Sequence, residues 1–164
     1  MKHKLFCGTC FFLLLLCFVG CSENTHEKSL AETAAKNASY QAIRSTFLRS
    51  PVYQTATDYV KACCEEVFPE LPLELSLEPG ELLGKEPPDS TSFLEDPAVR
   101  SDFFSKADLT VCMDLPTGTA PRPAFMQLIK HQISGRFFVE PSRKEYYLLD
   151  ADSRTVELIR IPEG

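Results

Sequence analysis

The stretch RFFVEPSRKEYYLLDADSRTVELIRI, Arg136 to Ile161, decides the fold class. RFFVE, EYYLLD and TVELIRI are short and rich in aromatic and β-branched residues, as strands are, and polar PSRK and ADSR part them. Connections this short join antiparallel neighbours, so the stretch predicts a three-stranded meander. Asp150 and Asp152 invite comparison with a calcium loop. Counting from Asp150, however, the sixth position is Thr155 rather than Gly and the twelfth is Ile161 rather than Glu. A hairpin turn, in which Asp and Ser bond to nearby backbone, suffices for ADSR.

Upstream of the meander the period changes between helix and strand. Phe125, Leu128, Ile129 and Ile133 fit a helix between Pro123 and Gly135, the favoured reading of 124–134, although a strand also accommodates them. Leu109, Val111, Met113 and Leu115 alternate as a strand does, and so do Leu71, Leu73, Leu75 and Leu77, with Pro72 at that strand's start. Asp96 and Pro97 suit the cap and first turn of a helix reaching about Lys106, after a breaker-rich loop through Pro87, Pro88, Asp89 and Ser90. Ser50 and Pro51 open a helix to about Phe68, whose Val52, Ala56, Tyr59, Val60, Cys63 and Val67 share one face. A further helix covers Leu30 to Arg49, and Ser29 with Glu32 has capping-box spacing at its start. The order predicts an α+β domain: N-terminal helices packed on an antiparallel sheet that ends in a three-stranded meander.

The N-terminus has a different character. Lys2, His3 and Lys4 precede an almost wholly apolar run, Leu5 to Val19, and Gly20 stands before Cys21. That is the layout of a secretory signal, and a membrane-spanning helix needs about 20 apolar residues, more than this run supplies. Residues 1–20 are therefore expected to be a signal peptide, 21–29 a polar tether and 30–164 a single α+β domain. The sequence Phe18-Val19-Gly20-Cys21 resembles the lipobox of bacterial lipoproteins, with Phe18 where the usual residue is Leu.

The resemblance implies cleavage after Gly20, a diacylglycerol on the Cys21 thiol and a fatty acyl chain such as palmitate on its amine. It covers only the first 22 or so residues and names no family for the rest of the chain. It implies a lipid-anchored protein of the cell envelope whose first partner is a membrane. Two or three acyl chains hold a protein stably where one does so marginally. Ser22 is not the Asp that retains lipoproteins in an inner membrane, so the outer membrane is favoured if the cell is Gram-negative.

Loss of the signal changes the composition. Cys7, Cys10 and Cys17 leave with it, so the C-G-T-C of Cys7 to Cys10 is not a redox motif of the mature protein. With Cys21 acylated, Cys63, Cys64 and Cys112 remain. They are read either as small buried thiols or as one disulfide joining Cys112 to Cys63 or Cys64. A bond between adjacent Cys63 and Cys64 would be strained, because their Cα atoms are about 3.8 Å apart. These thiols and a lone His131 offer too few paired ligands for a zinc site. Neither a metal nor any other cofactor is expected.

The mature chain keeps fifteen Lys and Arg against twenty-three Asp and Glu, a formal charge of −8, which argues against nucleic acid as a partner. Between Glu65 and Asp96 ten carboxylates face Lys85 alone. This segment is read as a solvated face or as a docking surface for a basic protein partner, with Glu74, Glu78 and Glu81 as the candidate contacts. No hydrolase elbow or phosphate-binding loop is present, so no catalytic residue is assigned and the balance leans away from an enzyme. The leading expectation is a membrane-anchored envelope lipoprotein with a non-catalytic binding or structural role. Two rivals are a surface-tethered hydrolase using carboxylates such as Glu74 and Glu78, and a carrier of an apolar ligand lined by Leu73, Leu75, Phe137 and Tyr147.

Overall fold

The computed structural model describes residues 8–80, 83, 86–140 and 143–162, with side chains from residue 28 onward. The chain divides into two compact units, Met1–Ala42 and Ile43–Gly164. Helix α1, Gly8–Arg49, contains the described part of the first unit and continues into the second. The expected helix start near Leu30 is corrected here, since α1 runs unbroken from Gly8 and includes residues 21–29, the polar tether of the sequence reading. Ser29 lies inside it, with its carbonyl accepting from Thr33 Oγ at 2.9 Å. The stretch SENTHEKS has no Gly or Pro to stop a helix, and the intrinsic helix propensities of its residues cost only tenths of a kcal/mol each. Among the described residues no helix is long and apolar enough to cross a membrane.

The second unit is built as the sequence predicts in most respects. Helix α2, Pro51–Val67, starts with Ser50 extended and Pro51 at its first position, and buries Val52, Ala56, Val60, Cys63 and Cys64. Strand β1, Leu73–Pro79, follows. Helix α3, Ser90–Glu95, replaces the end of the expected loop because the Asp89 carboxylate accepts from Thr91 N and Ser92 N at 3.0 Å. Asp96 likewise caps α4, Pro97–Lys106, through Ala98 N at 2.8 Å. Then come β2, Ala107–Met113, α5, Pro121–Lys130, and the meander of β3, Gly135–Val139, β4, Glu145–Asp150, and β5, Thr155–Arg160. The ambiguous segment 124–134 is thus helical to Lys130.

The α+β class holds, and the five strands form one sheet in the order β1-β2-β3-β4-β5. It is mixed rather than wholly antiparallel, because β2 pairs with β3 in parallel. Residues 114–134, α5 among them, are long enough to make the crossover a parallel pair requires.

One face of the sheet carries the core. Ala107, Leu109, Val111 and Met113 of β2 are buried, as are Phe137 and Val139 of β3, Leu149 of β4 and Val156 of β5. Helix α5 lays Phe125 over this face, with ring centroids 5.3 Å from Phe137 and 4.9 Å from Tyr147. A second aromatic cluster joins the helices: Phe93 lies 5.1 Å from Phe103 and 5.7 Å from both Phe104 and Tyr59, in edge-on geometries. Gly135 occupies the one point where β3 begins close against β2. Its φ is +156°, and a Cβ there would stand 2.9 Å from both Leu109 Cβ and Leu109 O, so only glycine fits.

Candidate functional site

Side chains alternate across a sheet, so the residues between the core positions all point to the other face. Pairing registers place Glu74, Cys112, Phe138, Tyr146 and Ile159 in one row across all five strands. The next row is Ser76, Thr110, Arg136, Leu148 and Glu157. A third has Glu78, Asp108, Asp150 and Thr155, with no β3 residue between Asp108 and Asp150 because β3 starts only at Gly135. Every residue of the three rows is exposed or half-buried. The helices, by contrast, contribute to the core on the opposite face.

This open face is not uniformly polar. Phe138 and Tyr146 pair across β3 and β4 with ring centroids 5.5 Å apart, flanked by Cys112 and Ile159 along the row and by Leu148 in the next. Around them stand Glu74, Asp108, Asp150 and Glu157, with Arg136 as the guanidinium among the three rows. An apolar strip framed by charge on an accessible face is what a contact surface looks like, whereas a solvated sheet face carries polar residues throughout.

Of the residues singled out from sequence, the structure brings Glu74, Glu78, Cys112 and Asp150 to this face. Glu81 lies outside the described residues, as do the side chains of Phe18 to Cys21, whose backbone belongs to α1. Glu78 is not free to dock a partner, since Arg44 Nε and Nη2 donate to its two oxygens at 2.5 and 2.6 Å. The same pair serves a hydrolase poorly. Glu74 and Glu78 are four residues apart on one strand, about 13 Å between Cα atoms, and Glu78 is already committed to Arg44. Leu73, Leu75, Phe137 and Tyr147 lie on the core side, where Phe125 packs on the two aromatic rings.

Among the described residues, Cys63, Cys64 and Cys112 are free thiols. Cys63 and Cys64 are buried in the helix layer, while Cys112 points to the open face, so the sheet itself stands between the partners of the expected disulfide. Burial pushes the Cys63 thiol up to about 11, against a hydrogen bond with Tyr59, and the Cys64 thiol up to about 12. Cys112 is also raised, first by burial and then by the Glu74 carboxylate opposite it. All three are therefore neutral near pH 7 and weak nucleophiles. In the native protein a maleimide is expected to label Cys112 well before Cys63 or Cys64, whose labelling waits for unfolding. Glu74→Gln should speed the Cys112 reaction. Peptide mapping of labelled protein checks both, and early label on Cys63 or Cys64 would contradict their burial.

The remaining polar candidates have local roles. His131 ends α5, its Nε2 3.2 Å from Glu66 Oε2 and its carbonyl accepting from the Tyr59 hydroxyl at 3.1 Å. Asp150 accepts from Asp152 N at 2.9 Å and Ser153 N at 3.2 Å, which makes ADSR the hairpin turn expected, and the Ser153 hydrogen bonds hold its carboxyl below the usual range. Among the described residues no three His, Cys, Asp or Glu side chains converge where a metal ion could sit.

Sequence reasoning missed Phe138, Tyr146, Leu148 and Ile159. The signal was there: RFFVE and EYYLLD are apolar at successive positions, so both faces of these strands are apolar, and one layer of helices can cover only one of them. No family model, no curated protein and no solved structure matches this chain.

Proposed function

We propose that this chain is a lipid-anchored envelope protein with a non-catalytic role, whose α+β domain binds a protein partner through the open face of its sheet. One observation carries the docking half: the Phe138–Tyr146 ring pair, with Leu148 and Ile159, is left half-buried on a face none of whose residues is fully buried. Contact of such a strip with water is unfavourable by about 25 cal/mol per Å², and a partner that covers it removes that penalty. Anchoring rests on the N-terminal sequence, where Cys21 follows a short apolar run and Gly20. Acylation at Cys21 would place the domain at a membrane surface of the envelope, with the outer membrane favoured in a Gram-negative cell. The acidic balance of the domain suits this position, because it repels anionic headgroups and leaves the sheet face available.

Neither rival has an observation in its favour of comparable weight. A carboxylate hydrolase needs two acids at a defined separation, and Glu78 is tied to Arg44. An apolar carrier needs an internal space beside Phe137 and Tyr147, and Phe125 packs there. The docking proposal is tested by photo-crosslinking in native membranes from a benzophenone side chain at position 146, which is expected to join one protein reproducibly.

A further inference from the structure

We infer that the occupant of the open face is an extended basic segment of the partner, laid along the Phe138–Tyr146 strip with one Lys or Arg side chain in the notch between β2 and β4. The inference rests on the reading of this face as a docking surface and specifies what docks there. Its starting point is the late start of β3, which leaves Asp108 of β2 and Asp150 of β4 with no β3 ladder residue between them, Ser134 and Gly135 lining the gap. The resulting open notch has a volume of about 370 Å³. Phe104, Ala107, Leu109 and Leu149 contribute carbon to its lining, beside the hydroxyls of Ser105, Thr110 and Ser134.

Its rim is acidic. Asp108, Asp150 and Asp152 line the notch together with Arg136, three carboxylates to one guanidinium. Asp108 is exposed and makes no ion pair among the described residues. Asp152 accepts from Ser101 Oγ at 2.6 Å and Asp150 from the turn amides, so these two are held in place by neutral donors that leave their charge uncompensated. The face as a whole repeats the imbalance, with Glu74 and Glu157 bordering the aromatic strip. Charge complementarity therefore selects a cationic occupant.

A lining of mixed carbon and hydroxyl groups under an acidic rim matches the amphipathic build of Lys and Arg, whose methylene stem packs on carbon while the head reaches carboxylates or water. Their heads also lie well over aromatic rings, so the Phe138–Tyr146 pair extends the same preference along the strip. A volume of this size admits a Lys or Arg side chain at full length. A basic polypeptide supplies both parts, a cation for the notch and backbone with further side chains for the strip.

The test titrates Nα-acetyl-lysine methylamide into the lipidated mature protein in detergent micelles and follows backbone amide signals. Saturable shifts at Leu109, Gly135 and Asp150 are expected, in the millimolar range for one side chain. The same probe acetylated on its side-chain nitrogen should bind at least fivefold more weakly. Asp108→Asn should weaken the lysine probe at least threefold, and Arg136→Gln should strengthen it, with amide signals away from the notch unchanged in both. Shifts that spread over the acidic surface without saturating, or equal binding of the two probes, would overturn the inference. If position 146 joins a protein while the titration fails, the notch is lost and the docking reading stands. Saturation at the notch with no protein joined from position 146 overturns the claim of a polypeptide occupant.

Discussion

Phe93→Ala is expected to lower the unfolding free energy of the domain by about 3–5 kcal/mol, the usual cost of truncating a buried Phe. Phe93 belongs to a short helix, six residues long, that could not form alone and is fixed by the Asp89 cap and by this one side chain. The ring is fully buried and touches Tyr59 of α2 and Phe103 and Phe104 of α4, so its loss opens a cavity where two helices meet. Collapse of the surroundings into that space is limited, because Phe103 is also packed against Phe47 at 5.9 Å. Total stability of a domain this size is on the order of 5–15 kcal/mol, so the variant should lose a large fraction of it. Urea unfolding gives the number directly. A loss under about 1 kcal/mol would mean that α3 is not part of the cooperative core.

Cys21→Ser is expected to move the protein from the membrane fraction to the soluble fraction and to remove the acyl mass from its N-terminal peptide. The effect is large because every buried methylene contributes about 0.8 kcal/mol, and no hydroxyl side chain can replace a thioether-linked diacylglycerol. Among the described residues no helix could hold the protein across a membrane in its place. Mass spectrometry of the wild-type N-terminal peptide decides the matter, and an unmodified Cys21 in mature protein would remove the anchor from the account. Fold and anchor are separable here, since Cys21 lies in the Met1–Ala42 unit and the sheet in the other. The variant should therefore keep the unfolding midpoint of the anchored protein.

Strands and helices were legible wherever one face of an element is buried and the other wet. Leu73, Leu75 and Leu77 alternate with Glu74, Ser76 and Glu78 for that reason, and α2 shows its helical stripe from Val52 to Cys63. The parallel pairing of β2 and β3 was not legible, because alternation reports which face a residue takes and not which strand lies beside it. Helix α3 was hidden by the Pro and Ser around it, although Asp89 ahead of Ser92 is a cap when read locally. Continuity of α1 through residues 21–29 was not legible, because SENTHEKS carries no apolar residues at helical spacing to announce a helix. The site was the least legible part. Acidic residues drew attention to Glu74 and Glu78, but Glu78 belongs to Arg44, and the proposed contact strip is made of Phe138, Tyr146 and Ile159, which look like core in one dimension.

The most direct measurement of the central claim places a photo-reactive benzophenone side chain at position 146 and, in a separate variant, at exposed position 61 on α2, in otherwise intact protein in its native membrane. The account predicts that illumination joins position 146 to a single protein and position 61 to none. It predicts further that Glu74→Gln with Asp108→Asn reduces the yield from position 146, and that rising salt does the same as the Debye length falls from about 10 Å at 0.1 M to about 3 Å at 1 M. Equal and scattered crosslinking from both positions, or none from position 146, would contradict it and would leave the open face a solvated surface.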